Sequence, residues 1–186
     1  KYSIYEECTI YRVPLFLRRG GDKFSLTLNY LSFFFNTILF AYFKLRKKKY
    51  DYIFTFGTSP VTVGLIANFL SKYTKSKTIL WVLDLWPEII FELKIIKSKF
   101  FYNILKKIVI YIYNKTDLIL AQSQSFYEHI SKFTDSNKIK ILFSWPEKID
   151  YQIKDRAEEI EYKPELFNII FTGTVGETQN FEEIVE

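Results

Sequence analysis

Thr78-Ile79-Leu80-Trp81-Val82-Leu83 runs straight into Asp84-Leu85-Trp86-Pro87-Glu88, and the fold turns on how that junction is read. The apolar run from Ile79 to Leu83 does not alternate with polar residues, so both sides of such a strand require burial. A strand of that kind belongs in a parallel sheet covered by helices. Ile53-Phe54-Thr55-Phe56 upstream and Leu118-Ile119-Leu120-Ala121 downstream have the same character. Working outward, the pattern predicts strands at 9–13, 51–56, 78–83, 117–121, 138–143 and 167–172. It predicts helices at 25–49, 59–73, 99–114 and 124–133, with another from about Thr178. The expected class is α/β: a Rossmann-like parallel sheet with helices on both faces.

A charge-dense run, Asp155-Arg156-Ala157-Glu158-Glu159-Ile160-Glu161, interrupts this alternation and has no apolar face. Read as a linker, it divides the chain into a first domain over 1–147, a connector over 148–165, and the first strand and helix of a second Rossmann-like domain over 166–186. The first residue is Lys1, methionine is absent, and the helix reaching Glu186 carries no C-cap signal. The expectation is a piece of a longer protein that lacks both ends.

Hydrophobic residues make up 48% and charged residues 25% of the 186, an ordinary globular balance. The net charge of +5 conceals a division. Residues 1–116 hold 19 Lys and Arg against 7 Asp and Glu, while residues 117–186 hold 7 against 14. Such asymmetry implies an anionic partner for the basic part: nucleic acid, a membrane surface or a diphosphate-bearing substrate. The basic residues are spread over several helices without a nucleic-acid motif, so no nucleic-acid partner is expected. Cys8 alone excludes an internal disulfide, which fits a reducing compartment, and it reads as a small buried or half-buried residue. His129, the single histidine, falls mid-helix and reads as packed or solvated. One histidine and one cysteine do not make a protein-built zinc site.

Residues 30–45 are apolar nearly all round. A membrane-spanning helix needs about 20 apolar residues; this run is shorter and carries Ser32, Asn36 and Thr37, so it is not read as spanning. Two readings stand. One is a helix buried between the sheet and its neighbours. The other is a helix lying in a membrane interface, with Lys44, Arg46, Lys47, Lys48 and Lys49 on anionic headgroups.

Ligands of open α/β sheets bind where strands end at their carboxyl edge. After Phe56 comes Gly57-Thr58-Ser59-Pro60, where Ser59 suits an N-cap and Pro60 a first helical turn, leaving backbone N–H groups for a phosphate or a sugar hydroxyl. After Leu83 come Asp84, Trp86 and Glu88. A carboxylate beside an indole suits a sugar, the ring packing on a pyranose face and the carboxylate accepting from hydroxyls. A helix-cap role for Asp84 and a first-turn role for Glu88 are the plain alternatives. After Ala121, Ser123 or Ser125 suits a cap. Phe171-Thr172-Gly173-Thr174-Val175-Gly176 joins a strand to a helix, and its glycines would let the backbone approach a pyrophosphate.

Four stretches together resemble glycosyltransferase family 4: Ile10-Tyr11-Arg12-Val13-Pro14, Leu28-Asn29-Tyr30-Leu31-Ser32-Phe33, Thr58-Ser59-Pro60-Val61-Thr62-Val63-Gly64 and Trp81-Val82-Leu83-Asp84-Leu85-Trp86-Pro87-Glu88. More narrowly, they are similar to bacterial surface-polysaccharide enzymes of the N-acetyl-L-fucosamine transferase type. Gln122-Ser123 and Ser144-Trp145-Pro146-Glu147 follow in the fitting order. The resemblance implies the two-domain GT-B architecture, with the N-terminal domain toward the acceptor and the C-terminal domain toward a nucleotide sugar. It implies a retaining transfer, without a cofactor or a divalent metal, to a lipid-diphosphate-linked oligosaccharide in cell-surface polysaccharide synthesis. It also implies a cytoplasmic protein docked on the anionic inner face of the membrane. Carried over by residue, Asp84 faces the donor sugar, Gly173 and Gly176 approach the donor diphosphate, and Thr58, Ser59, Trp86 and Glu88 lie on the acceptor side. The family's opening glycine-rich loop and its Glu-x7-Glu donor motif would fall outside residues 1–186, so the piece itself is expected to transfer no sugar.

Three further classes compete. A nucleic-acid-binding module would draw on the basic first half and the many aromatics, though no nucleic-acid motif appears. A non-catalytic scaffold or membrane-docking domain would keep the fold without the chemistry. A sugar-nucleotide epimerase would want a Tyr-x-x-x-Lys pair; Tyr73 and Lys77 have that spacing but fall at a predicted helix end.

Overall fold

The computed structural model describes residues 2–18, 23–92, 97–145, 163–173 and 181 of the chain, which divides into two units, Lys1–Ser144 and Trp145–Glu186. The first unit opens with a hairpin. Strands β1 (Tyr2–Tyr5) and β2 (Cys8–Tyr11) pair antiparallel, with Tyr2 opposite Tyr11 and Tyr5 opposite Cys8. The single strand expected at 9–13 is thus half of a local two-stranded ribbon. Cys8 is exposed on it rather than buried: Tyr11 packs on Phe40, and Cys8 alternates to the opposite face of the ribbon.

Helix α1 (Lys23–Phe40) continues through a wide π-type turn at Ala41–Leu45, closed where Arg46 N–H donates to the Ala41 carbonyl five residues back. Then strands and helices alternate: β3 (Tyr52–Gly57), α2 (Val63–Thr74), β4 (Lys77–Val82), the short α3 (Glu88–Glu92), α4 (Lys99–Lys115), β5 (Leu118–Ala121), α5 (Gln124–Ser131) and β6 (Ile139–Ile141). The sheet order is β3-β4-β5-β6 and every pairing is parallel. This is the Rossmann-like parallel sheet flanked by helices that the apolar runs called for.

Coverage of the sheet departs from expectation. Strands that all advance in one direction, joined by right-handed crossovers, send α2, α4 and α5 to the same face. On that face Leu80, Val82, Ile119, Ala121 and Ile139 are buried with Ile112 and Tyr113 of α4 and Ile130 of α5. Gly64 lets α2 settle on α4: a Cβ there would meet Ile112 Cγ2 at 2.5 Å. On the other face Phe54 and Phe56 stay 54% and 55% exposed, with Phe56 edge-on to Trp81. Among the described residues the helices α2, α4 and α5 gather on one face, while on the other Trp81 is 9% exposed beside the open Phe56.

Helix α1 also departs from expectation. Ala41 at its end, with Phe33, Phe34 and Ile38, packs against Ile66 and Leu70 of α2. Yet Phe24, Leu31, Phe35, Leu39 and Phe43 are exposed. The stretch Phe24–Leu45 has 22 residues, long and apolar enough to cross a membrane by length and composition, and 11% of its apolar window is buried. The reading as a helix buried between sheet and neighbours is corrected, and shortness no longer argues against a span.

In the second unit, Asn168 closes a turn on the carbonyls of Lys163 and Leu166, and the rings of Phe171 and Phe181 meet edge to face at 4.7 Å. The strand expected at 167–172 is not formed: these residues pair with no strand among the described residues, and Phe167 is 92% exposed. An apolar run supplies one strand's side chains but not the neighbour that makes a ladder. The expected connector over 148–162 and the helix from Thr178, Phe181 apart, fall outside the described residues.

Candidate functional site at the carboxyl edge of the sheet

The turn after β3 and the turn after β4 meet. Ser59 Oγ donates to Asp84 Oδ2 at 2.8 Å, and Trp86 Nε1–H donates to Ser59 Oγ at 3.1 Å. One hydroxyl thus locks two loops 25 residues apart onto the same rim. Ser59 is not an N-cap: the cap position of α2 is Thr62, which makes no side-chain cap, and residues 59–62 are spent on the turn instead. Both prolines of this rim follow cis bonds, Ser59-Pro60 and Trp86-Pro87. Gln122 at the end of β5 joins the edge by donating to the Leu83 carbonyl at 3.2 Å. Ser123 caps α5, accepting from the Phe126 N–H at 3.3 Å.

Beside this rim lies a cavity of about 280 Å³. Thr58, Ser59 and Phe56 line it from the sheet, Asn29, Tyr30 and Phe33 from α1, and Arg18 from the loop before α1. Sequence reasoning placed Thr58 and Ser59 here but missed the opposite wall. The polar residues of the apolar α1, of which Asn29 itself lines the cavity, hold the preceding loop beside that wall. Asn29 donates to the Phe16 carbonyl at 2.6 Å, Ser32 Oγ accepts from the Phe16 N–H at 2.8 Å, and Asn36 donates to the Pro14 carbonyl at 2.8 Å. Positions 29, 32 and 36 lie on one helical face, so this stripe clamps the loop of residues 14–16 along the helix. Two residues later Arg18 emerges with its guanidinium 5.3 Å over the Tyr30 ring. The signal was present in the sequence as three polar residues at helical spacing.

Trp86 and Glu88 stand elsewhere than expected. Trp86 is 7% exposed and belongs to the core cluster, its ring 6.4 Å from Tyr30. It has no free face for a pyranose, because the tight turn at Pro87 folds the indole inward and leaves only its N–H at the rim. Glu88 Oε1 accepts from Tyr102 at 3.1 Å and stands 3.5 Å from His129 Nε2, so it ties α3 to α4 and α5 rather than lining the cavity. His129 also packs on the Phe133 ring, a packing role as expected. Gly173 sits in the second unit, where a Cβ would meet the Phe171 ring; Gly176 lies outside the described residues. Within the basic cluster, Arg46 lies 4.0 Å over Tyr42 and Lys48 5.7 Å over Tyr11, while Lys44, Lys47 and Lys49 are exposed at the end of α1.

The opposite edge of the sheet is built for stability. Asp117 accepts from the Thr78 N–H at 2.9 Å, from the Thr78 hydroxyl at 3.0 Å and from Lys77 at 2.9 Å. Burial pushes its carboxyl up, but these bonds together outweigh it and hold the pKa below the usual aspartate value. Lys138, whose pKa burial lowers, donates to the carbonyls of Tyr113 and Asn114 at the end of α4 and of Thr116, its C-cap. Among the described residues no group of three or more His, Cys, Asp and Glu is placed to hold a metal. No family model, curated protein or solved structure matches the chain.

Proposed function

We propose that the chain forms the acceptor-side part of a glycosyltransferase of family 4 with the two-domain GT-B architecture. It would pass a sugar from a nucleotide sugar to a lipid-diphosphate-linked glycan in surface-polysaccharide synthesis, with retention and without a metal. The observation that carries this reading is the Ser59–Asp84 bond, which gathers two strand-end loops of a parallel sheet beside one cavity. Asp84, half-buried and accepting from one hydroxyl, keeps lone pairs for the hydroxyls of a sugar. The glycines Gly173 and Gly176 are assigned to the donor diphosphate on the resemblance alone.

The test is sugar transfer by the product of the complete reading frame, with a nucleotide-sugar panel and a prenyl-diphosphate-linked acceptor. Transfer should persist in a chelator. Asp84→Asn should lower kcat by about 100-fold or more, the loss of a group acting at the reacting centre. Unchanged turnover in that variant would remove Asp84 from the chemistry.

A second reading, a non-catalytic membrane-docking α/β domain, draws on the exposed apolar ridge of α1 and the cations that follow it. Both readings place the protein peripherally on the cytoplasmic face of an anionic membrane. They part on turnover by the complete protein.

A further inference from the structure

We infer that Arg18 is the oxyanion-binding group of the cavity beside Ser59, and that the cavity takes a phosphate ester of a sugar. The inference rests on the acceptor-side reading of this rim and names its specificity residue.

Three observations converge on Arg18. The loop that carries it is fastened to α1 at three points on Pro14 and Phe16, which anchors the backbone two residues before Arg18. The guanidinium carbon of Arg18, an exposed residue, stands 5.3 Å from the centre of the Tyr30 ring, a cation–π contact that uses none of its N–H donors. Among the described residues no Asp or Glu forms an ion pair with it. An arginine without a carboxylate partner, on the wall of a cavity, offers its fork of N–H donors to an oxyanion.

The rest of the cavity selects the body of the ligand. Phe33 and Phe56 supply apolar surface, and Thr58 and Ser59 supply polar groups at the sheet end. A volume of about 280 Å³ is at the small end of the usual range for ligand pockets, roughly 300–1,000 Å³. It suits one sugar ring with its ester better than a long chain. Asp84, reached through Ser59, is an acceptor and repels an anion, so the two ends of the site differ in sign. A ligand that fits both has a phosphate at one end, against Arg18, and hydroxyls at the other. A free sugar phosphate and the head of a lipid-linked sugar share that chemistry.

The test is a titration of the 186-residue chain, followed by NMR. The Trp86 indole N–H, bonded to Ser59, reports on the cavity; the Trp81 indole, bonded to the Leu142 carbonyl, is the internal control. The probes are N-acetylglucosamine 1-phosphate, N-acetylglucosamine and inorganic phosphate. The sugar phosphate should shift the Trp86 signal saturably and bind at least about tenfold tighter than the neutral sugar, with inorganic phosphate competing. Arg18→Ala should abolish that tenfold preference, and Arg18→Lys should retain part of it. Arg12→Ala, an equal loss of charge at an exposed residue that does not line the cavity, should leave it intact.

A parallel arm measures co-sedimentation with phosphatidylglycerol vesicles, which Arg18→Ala should barely change. If Arg18→Ala binds the sugar phosphate as well as the unaltered chain does, the inference fails while the transferase reading stands. If Arg18→Ala instead loses vesicle binding and no sugar phosphate shifts Trp86, Arg18 belongs to a membrane surface and the inference is overturned. If inorganic phosphate binds through Arg18 but neither sugar derivative adds to it, the anion site survives and the sugar reading falls.

Discussion

Asp84 and Asp117 stand at opposite edges of one sheet, and their partners give them different work. Asp117 accepts three bonds before β5 and answers to stability. Its folded pKa lies below its unfolded value, so its contribution is present above the ordinary aspartate range near pH 4 and is lost as pH falls through the folded value. Asp117→Ala should cost about 1–3 kcal/mol at neutral pH, mainly by orphaning the buried N–H of Thr78. In urea melts that cost should shrink as the pH drops below 4; a pH-independent cost would remove the ionised carboxylate from the account. Ser59 is the residue on which Asp84 depends. Ser59→Ala removes the acceptor of a buried indole N–H together with the donor to Asp84, and should cost about 1–3 kcal/mol in thermal melts. The Trp86 indole resonance should move in the same variant.

At the scale of elements, α2 and α1 show opposite uses of small and large side chains. Gly64 is the second residue of α2, in its first turn, where alanine would ordinarily gain at most about 1 kcal/mol in propensity. Here a methyl group would press on Ile112, which is fully buried, so Gly64→Ala should be destabilising by a net 1–3 kcal/mol or so. A rise in Tm for that variant would show that α2 and α4 have slack between them. Helix α1 turns three distinct stripes outward and inward. Phe33, Phe34 and Ile38 pack on α2, Asn29, Ser32 and Asn36 clamp the loop, and Leu31, Phe35 and Leu39 form an exposed ridge ahead of Lys47, Lys48 and Lys49. Such a ridge followed by cations matches an interfacial helix. Flotation with phosphatidylglycerol vesicles should drop by roughly 100-fold when Lys47, Lys48 and Lys49 are changed to Gln, at about 1 kcal/mol per charge. Changing Leu31, Phe35 and Leu39 to Ser should weaken it at every salt concentration. Vesicle binding untouched by both variants would leave the membrane without a docking surface.

At the scale of the whole molecule, the charge division and the one-sided sheet set how the chain meets its surroundings. The basic first 116 residues should make vesicle association fall with ionic strength as screening shortens the reach of each charge to about 10 Å at 0.1 M. The portion that survives in high salt should be the apolar part on α1. Strong retention on DNA without retention on vesicles would move the basic residues to a nucleic-acid role instead. The aromatic face with Phe54 and Phe56 is a separate feature, fixed by four strands that advance in one direction and send their helices to one side.

The sequence alone determined the class and the positions of the central strands. Runs such as Ile79 to Leu83 and Leu118 to Ala121 have no polar side, which calls for a parallel sheet flanked by helices, and these strands pair in parallel. It also brought Thr58, Ser59 and Asp84 to one edge of the sheet, because all three follow strand ends, and the Ser59–Asp84 bond forms there. What it left open was every choice of partner. Whether Trp86 turned its ring to solvent or to the core, whether Ser59 capped a helix or bridged to Asp84, and which face of α1 stayed bare depended on groups distant in sequence. A local pattern states what a segment must bury or bond. Only the folded chain supplies the atoms that bury or bond it, and the loop clamp that carries Arg18 to Tyr30 is assembled from contacts of that kind.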